Sequence, residues 1–341
     1  MSPLDTNRLQ DYLRSQSLSQ GDAIRLSPIA GGQSNPTYIV DTGSKRYVLR
    51  KKPPGKLAAS AHAVDREYRV MKALQDTAVP VPRMLAYCED ETIVGTPFYL
   101  MEFLDGRVLV DQSLPGMTPA ERGAMYREMN RVLAALHAVD YRAAGLETYG
   151  KAGSYFARQI GRWSRQCAAS PLPLPDAMRR LMDWLPQHIP SHEETTLVHG
   201  DYRLDNLVFH RTEPRVIGLL DWELSTLGDP LSDLSFQCMS WHIPPRLWRG
   251  IGGLDIASLG IPTEAEYLAL YSAATGRNAA EDWDFYLAFN LFRMSAILHG
   301  IAERAAAGNA AAADAVETGR KAGPLADIGW QCALRYEAGR A

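Results

Sequence analysis

Cysteine pairs, long apolar runs and a surplus of one charge are missing from this 341-residue sequence. The four cysteines (Cys88, Cys167, Cys238 and Cys332) are scattered with no C-x-x-C pair, which excludes a disulfide frame or a zinc knuckle and suits reduced, structural thiols. No uninterrupted apolar run approaches the roughly 20 residues that span a bilayer. A formal net charge of −3 argues against nucleic acid or an anionic membrane as the main partner. The opening Met1-Ser2-Pro3-Leu4-Asp5-Thr6 has neither the basic start nor the apolar centre of a secretory signal, so the expectation is a cytoplasmic protein. Nothing in the sequence sets the number of subunits.

What is present is more than one small core can use; the length suits two domains or lobes. Residues 5 to about 17 read as a weakly amphipathic helix. Short strand-like runs follow at Ala23–Ile29, Thr37–Val40 and Arg46–Lys51, separated by Gly31-Gly32-Gln33-Ser34-Asn35, Asp41-Thr42-Gly43-Ser44 and Pro53-Pro54-Gly55. A helix from about Ala61 to Leu74 and strands at Met84–Cys88 and Phe98–Phe103 complete this part, and Leu104-Asp105-Gly106 has the look of a hinge. From Pro119 the pattern is mainly helical. Thr118-Pro119-Ala120-Glu121 and Thr263-Glu264-Ala265-Glu266 are capping boxes, the first with proline at the first helical position. Ala305–Ala315, broken by Gly308-Asn309, fits either helix or loop.

The chemistry concentrates in His199-Gly200-Asp201-Tyr202-Arg203-Leu204-Asp205-Asn206, with the spacing H-x-D-x-x-x-x-N, and in the apolar run Val216–Leu220 that ends on Asp221. Such a set transfers phosphoryl groups. One carboxylate takes the proton of a hydroxyl nucleophile, while an amide and a second carboxylate offer the hard oxygens that Mg²⁺ prefers. Plain loop carboxylates and a turn asparagine would not predict the apolar strand closing on a second aspartate. Leu207–Phe209 and Val216–Leu220 should form a hairpin that brings Asn206 and Asp221 to one end.

In the first part, Val48 and Arg50 share one strand face, and Tyr47 and Leu49 the other. Taken alone, Arg50, Lys51 and Lys52 read as a solvated basic strand end. Glu67 alters that reading. It sits within the apolar stripe Val64, Met71 and Leu74 of the next helix, where a charge needs a partner, and a cation from the preceding strand can supply it. The Gly31-Gly32 loop can fold over phosphates with backbone N–H groups, although Gly-Gly is more often plain turn chemistry.

These residues resemble the aminoglycoside phosphotransferase (choline-kinase-like) family, a small-molecule branch of the protein-kinase-like fold, over about Leu26 to Leu234. The resemblance implies an α+β, two-lobed fold: an antiparallel sheet plus helix as a nucleotide-binding N-lobe (1–103), and a mainly helical C-lobe (104–341) with the catalytic loop, metal site and substrate region. It implies Asp201 as base and Asn206 and Asp221 as Mg²⁺ ligands, and leaves Arg203 as either a charge stabiliser at the transferring group or a surface arginine paired with Asp205. ATP or GTP would be held by Gly31, Gly32, Ser34, Asn35, Arg50 or Lys52, and Glu67, with its base edge on the backbone of Glu102 and Leu104 and Met101 behind it. Asp233 in Gly228–Asp233 would brace the catalytic loop.

Three departures from the kinase pattern matter. Arg50 stands where the fold usually has lysine. Gly200 replaces the arginine of H-R-D, which argues against control by activation-loop phosphorylation. Asp221-Trp222-Glu223 replaces Asp-Phe-Gly, leaving Glu223 as either a metal-shell carboxylate or a helix-start acid.

Within the family, Y-V-L-R-K-K-P-P-G (Tyr47–Gly55), Asp65-Arg66-Glu67-Tyr68 and H-G-D-Y-R-L-D-N are most similar to the kinase-like domain fused to acyl-CoA dehydrogenases. That points to a hydroxyacyl-CoA or hydroxy acid as the small-molecule hydroxyl substrate rather than an aminoglycoside. Trp241, His242, Trp248, Trp283 and Trp330 can line a pocket, though aromatic residues at helical spacing are more often core. The other function class left open is a nucleotide-binding pseudokinase acting as sensor or scaffold.

Overall fold

The alternating runs of the first hundred residues form one antiparallel sheet. The computed structural model describes residues 6–21, 23–29, 35–55, 63–308 and 314–340. Among these, the sheet holds β1 (Arg25–Pro28), β2 (Thr37–Asp41), β3 (Arg46–Lys51), β4 (Met84–Cys88) and β5 (Phe98–Glu102) in the order β1-β2-β3-β5-β4. The β2–β3 hairpin turns through Asp41-Thr42-Gly43-Ser44, where the Asp41 carboxylate accepts the Gly43 N–H at 2.8 Å and Gly43 takes φ +82°.

Both faces of the sheet are covered, so β3 is buried nearly throughout. Tyr47 and Leu49 pack with Leu9 and Leu13 of α1 (Thr6–Ser15), an i,i+4 pair with no solvent exposure. Val48 faces the other way with Met101, its register partner on β5, onto Val64, Val70 and Met71 of α2 (Val64–Leu74). Each such aliphatic side chain contributes about 1.5–3 kcal/mol. The basic strand end is not solvated. Lys51, 7% exposed, turns to the carbonyl of Val94 at the end of α3 (Glu91–Val94), and Arg50 points to the α2 side.

After Glu102 the chain reaches β6 (Arg107–Val108). Gly106 lies so close to the neighbouring strand that a Cβ would stand 2.4 Å from the Phe209 carbonyl oxygen. The helical part comprises α4 (Pro119–His137), α5 (Tyr155–Ala168), α6 (Asp176–Trp184), α7 (Pro230–His242), α8 (Ile256–Leu259), α9 (Glu264–Thr275), α10 (Trp283–Ala306), α11 (Ala315–Arg320) and α12 (Ala322–Ala338). Both expected capping boxes form, Thr118 with Glu121 and Thr263 with Glu266. Helix α10 is long and apolar enough to cross a membrane, yet 83% of its most apolar window is buried among the other helices. Of the alanine-rich stretch, α10 accounts for residues up to Ala306, and 309–313 lie outside the described residues.

Two small ladders carry the site. β7 (Thr196–Val198) pairs with β10 (Thr226–Gly228), and β6 pairs with β8 (Leu207–Phe209), which pairs with β9 (Val216–Leu219). The β8–β9 hairpin is the one expected from sequence. Between β7 and β8 runs the His199–Asn206 loop, and between β9 and β10 the Asp221 loop.

Candidate active site

The His199–Asn206 loop is held from several sides. Asp233, on the first turn of α7, accepts the backbone N–H groups of His199 at 2.5 Å and Gly200 at 2.8 Å. Burial works against that charge, yet His137, His199 and these N–H groups keep the Asp233 pKa below the usual carboxylate range. Gly200 has φ +80°, and a Cβ there would lie 2.5 Å from the Leu224 carbonyl oxygen, so backbone shape and packing both require glycine. Tyr202 is fully buried and donates to the Met129 carbonyl at 2.7 Å, tying the loop to α4. His199 closes the unit: Nε2 donates to the Leu220 carbonyl at 2.9 Å and Nδ1 accepts the Asp201 N–H at 3.3 Å.

Asp201 is presented at the mouth of this loop. The Asn206 amide donates to its carboxylate at 3.0 Å and to its carbonyl at 2.8 Å. Burial raises the Asp201 pKa, while Arg203, His199 and Asn206 pull it down. Arg203 places Nε 3.2 Å from Asp201 and 3.3 Å from Asp205, so it bridges both carboxylates. The Asn206 carbonyl accepts the Leu220 N–H at 2.9 Å, fastening the catalytic loop next to Asp221.

Asp221 takes the left-handed conformation (φ 65°), uncommon for a residue with a side chain. Trp222 behind it is buried, with its ring edge-on to His199 at 4.8 Å and its Nε1 donating to Leu219 at 2.9 Å. Further on, Ser225 bonds the Tyr149 hydroxyl at 2.6 Å, and its carbonyl accepts from Arg66 of α2 at 3.3 Å. Glu223 is exposed and lines the cleft beside Asp221.

Arg50 crosses from the sheet to this loop. Its Nε lies 2.9 Å from Glu67 and its Nη2 3.0 Å from Asp221. Glu67, 1% exposed, also accepts from the Tyr99 hydroxyl at 2.9 Å and from the Asn35 amide at 2.8 Å. Burial opposes the Arg50 charge, but Glu67, Tyr99 and Asp221 hold its pKa above the ordinary guanidinium value. A lysine has one charged atom and could not fork to both carboxylates in this way. Lys52 follows the strand; its N–H donates to the Pro97 carbonyl, its own carbonyl accepts from Thr96, and it does not line the cleft.

At the hinge, Met101 is buried beside Val48, the Glu102 N–H donates to the Arg83 carbonyl at 2.9 Å, and the Leu104 carbonyl accepts from Gly106 at 3.1 Å. That narrows the groups able to meet a base edge to the Glu102 carbonyl and the Leu104 N–H. Gly31, Gly32 and Ser34 lie outside the described residues, and Asn35, expected at a nucleotide, is a partner of Glu67.

Arg50, Asp201, Arg203, Asn206 and Asp221 line one cleft of about 810 Å³. The described residues hold no cluster of three or more His, Cys, Asp or Glu side chains suited to a metal. The donor chemistry nonetheless fits Mg²⁺, which is commonly held by one or two protein oxygens together with substrate phosphates and water. With its amide nitrogen turned to Asp201, Asn206 keeps its side-chain oxygen as an acceptor, and Asp221 is a part-exposed carboxylate.

The outer cleft contains groups the sequence did not single out together. Arg249 pairs with Asp205, and Trp248 lies between Arg249 and Lys321, whose charges are 5.5 Å and 5.1 Å from its ring. Of the five aromatic candidates only Trp248 lines the cleft. Trp241 donates to the Pro262 carbonyl, while His242 and Trp283 gather on Glu264. Met294, Ile297, Leu298 and Ile301 of α10 form an apolar wall, with Arg246, Arg249 and Lys321 among the charged residues of the rim. Arg293, buried within α10, donates to the Gly200 carbonyl. A lone charge inside an apolar helix was its signal, the same one that marks Glu67.

Residues 25–289 match the profile of the family described as phosphotransferase enzyme family (APH). The chain is 46% identical over 306 residues to acyl-CoA dehydrogenase family member 10 of Mus musculus, covering 89% of this chain and 29% of that protein. To acyl-CoA dehydrogenase family member 11 of Homo sapiens it is 39% identical over 338 residues, covering 97% and 43%. The chain thus spans less than half the length of these relatives. A crystal structure from Ralstonia eutropha, provisionally described as an aminoglycoside phosphotransferase, has 53% identity and a TM-score of 0.89 over 98% of this chain and 99% of that one. The GDP complex of aminoglycoside 2'-phosphotransferase-IIIa, at 14% identity, shares the fold with a TM-score of 0.62 over 96% and 99%.

Proposed function

The chain belongs to the phosphotransferase enzyme family, and from that premise we propose that it moves the γ-phosphoryl group of ATP or GTP to a hydroxyl of a small molecule. The observation that carries this reading is the convergence of Asp201, Asn206, Asp221 and the Arg50–Glu67 pair on one cleft. The acceptor oxygen attacks the γ-phosphorus, the bond to the β-γ bridging oxygen breaks, the nucleoside diphosphate leaves, and the hydroxyl proton passes to Asp201. Arg203, beside Asp201, offsets negative charge gathering at the transferring group. Asn206 and Asp221 would hold Mg²⁺, which neutralises phosphate charge when bound. Arg50, oriented by Glu67, would meet the phosphates. The Glu102 carbonyl and Leu104 N–H would hold the base, with Met101 behind it.

For the acceptor, the apolar α10 wall favours a molecule with an aliphatic stretch, and the rim around it carries both signs, Arg246 and Lys321 with Asp111 and Asp314. A polycationic aminoglycoside asks for a strongly acidic pocket rather than one of mixed sign. The relatives named as acyl-CoA dehydrogenase family members support the same choice. A hydroxyacyl-CoA or free hydroxy acid is therefore the acceptor class proposed.

The test is a phosphate-transfer screen with ATP and GTP against hydroxyacyl-CoAs, hydroxy acids, choline, sugars and aminoglycosides. Wild type should turn over a hydroxyacyl compound, and Asp201→Asn should lose about 10³-fold or more in kcat with nucleotide binding kept. Full turnover by Asp201→Asn would sink the base assignment. Mg²⁺-dependent nucleotide binding without transfer to any hydroxyl would favour a sensor instead.

A further inference from the structure

Beside the catalytic loop the main cleft continues into a small annex of about 30 Å³, bounded by Gln112, Arg203, Phe236, Gln237, Trp248 and Met294. Four of these, Gln112, Arg203, Trp248 and Met294, also line the main cleft, so the annex joins it directly. Gln237 sits one helical turn beyond Asp233 on α7, on the face that α7 turns to the loop. It is 2% exposed, and neither its amide nitrogen nor its amide oxygen has a hydrogen-bond partner among the described residues. The Gln112 amide oxygen, 5% exposed, is in the same state.

Buried polar groups are nearly always bonded, and a side chain with both amide atoms unmet demands an occupant. Leucine or methionine would fill the position without that penalty. Two residues far apart in sequence, Gln112 and Gln237, bring unmet groups to the lining of one space with room for a single small polar group. Two of the unmet atoms are oxygens that need a donor, and one is the Gln237 amide nitrogen, which needs an acceptor. A carboxylate or bare carbonyl would satisfy only the amide nitrogen; a hydroxyl or an amide satisfies both kinds.

We propose that Gln237, with Gln112, forms an acceptor subsite that recognises a neutral hydroxyl or amide of the phosphoryl acceptor, distinct from the hydroxyl facing Asp201. The subsite rests on the transfer reading above and sharpens its acceptor class. The molecule carries, besides the reacting hydroxyl, a second group that both donates and accepts. Discrimination follows, because an analogue without that group leaves the same buried amides unmet.

The experiment uses the full chain and Gln237→Met, which keeps length and removes both polar atoms. With Mg²⁺ and AMP-PNP present, 3-hydroxybutyryl-CoA, glycerol and choline are titrated calorimetrically, alongside thermal unfolding and transfer kinetics. The variant should unfold at or above the wild-type temperature and bind AMP-PNP as wild type does. It should lose about tenfold or more in affinity for the probe that wild type binds best, appearing in KM rather than kcat. Unchanged probe affinity overturns the proposal. So does a fall of several degrees in unfolding temperature, which marks an amide bonded internally through a resident water. Absence of binding by all three probes to wild type overturns it as well. A probe that binds wild type through Gln237 yet receives no phosphoryl group upholds the subsite and defeats the transfer reading.

Discussion

Replacing Glu67 by leucine removes the one buried carboxylate that α2 presents to the sheet. Three groups lose a partner: Arg50 at 2.9 Å, Tyr99 at 2.9 Å and Asn35 at 2.8 Å. Stranding a buried charge costs about 3–5 kcal/mol. Asp221, 3.0 Å from the other arm of Arg50, remains as a counter-charge, which places the loss near the low end, about 3 kcal/mol. The orphaned Tyr99 hydroxyl adds about 1–2 kcal/mol. The total, roughly 4–5 kcal/mol, corresponds to a fall in unfolding temperature of about 6–7 °C for a chain of 341 residues. A thermal double-mutant cycle checks the reasoning. Arg50→Met should also destabilise, while Arg50→Met with Glu67→Leu should return to within about 2 kcal/mol of wild type, because an apolar pair needs no counter-charge. A loss below about 2 °C for the single variant, or a double variant as poor as the sum of the singles, would show that the pair does not organise this side of the cleft.

Gly200→Ala should lower stability by about 1–3 kcal/mol, since a side chain at φ +80° is strained and its Cβ would press on the Leu224 carbonyl; turnover should fall further than nucleotide affinity. Thr263→Ala removes a capping box and should cost about 1 kcal/mol, read as a small drop in unfolding temperature with unchanged kinetics. Burial lowers the His137 pKa, so the unfolded chain binds the proton more readily. The stability this gives is present above about pH 6.5 and is lost as pH falls through the folded value. His137→Gln should flatten the acid limb of a stability-pH curve, and an unchanged limb would count against a neutral buried histidine.

The place of the His199–Asn206 loop beside Asp221 and the Glu67 partner were legible in sequence because each breaks a local pattern. H-x-D-x-x-x-x-N has chemically specific spacing, and Glu67 is a charge inside an apolar stripe. The hairpin from Leu207 to Leu220 and both capping boxes were equally local signals. Lys51 was not legible. Strand alternation sends it away from α2, and only the closing of α1 and α3 over the outer sheet face makes that direction an interior. The pairing of Arg249 with Asp205 and the reach of Arg293 to Gly200 join residues 44 and 93 positions apart, which no local periodicity records. The aromatic candidates divided for a similar reason: Glu264 draws His242 and Trp283 together elsewhere, leaving Trp248 alone at the cleft.

Gly200 links these long-range contacts to the way the site is kept ready. An arginine at this position in protein kinases offers a handle for a phosphorylated segment, and none can fit here beside the Leu224 carbonyl. The two sides of the Gly200 peptide are instead held by side chains from the helical region. Asp233 of α7 takes its N–H, and Arg293 of α10 donates to its carbonyl from a buried position against the Phe236 ring. Both helices belong to the same core, so the geometry of Asp201 depends on packing rather than on a modification. A site fixed this way gains nothing from an activating phosphate. Its sensitivity lies at the interface of α7 and α10, where losing the Arg293 charge should disturb Asp201 as much as a change within the loop itself.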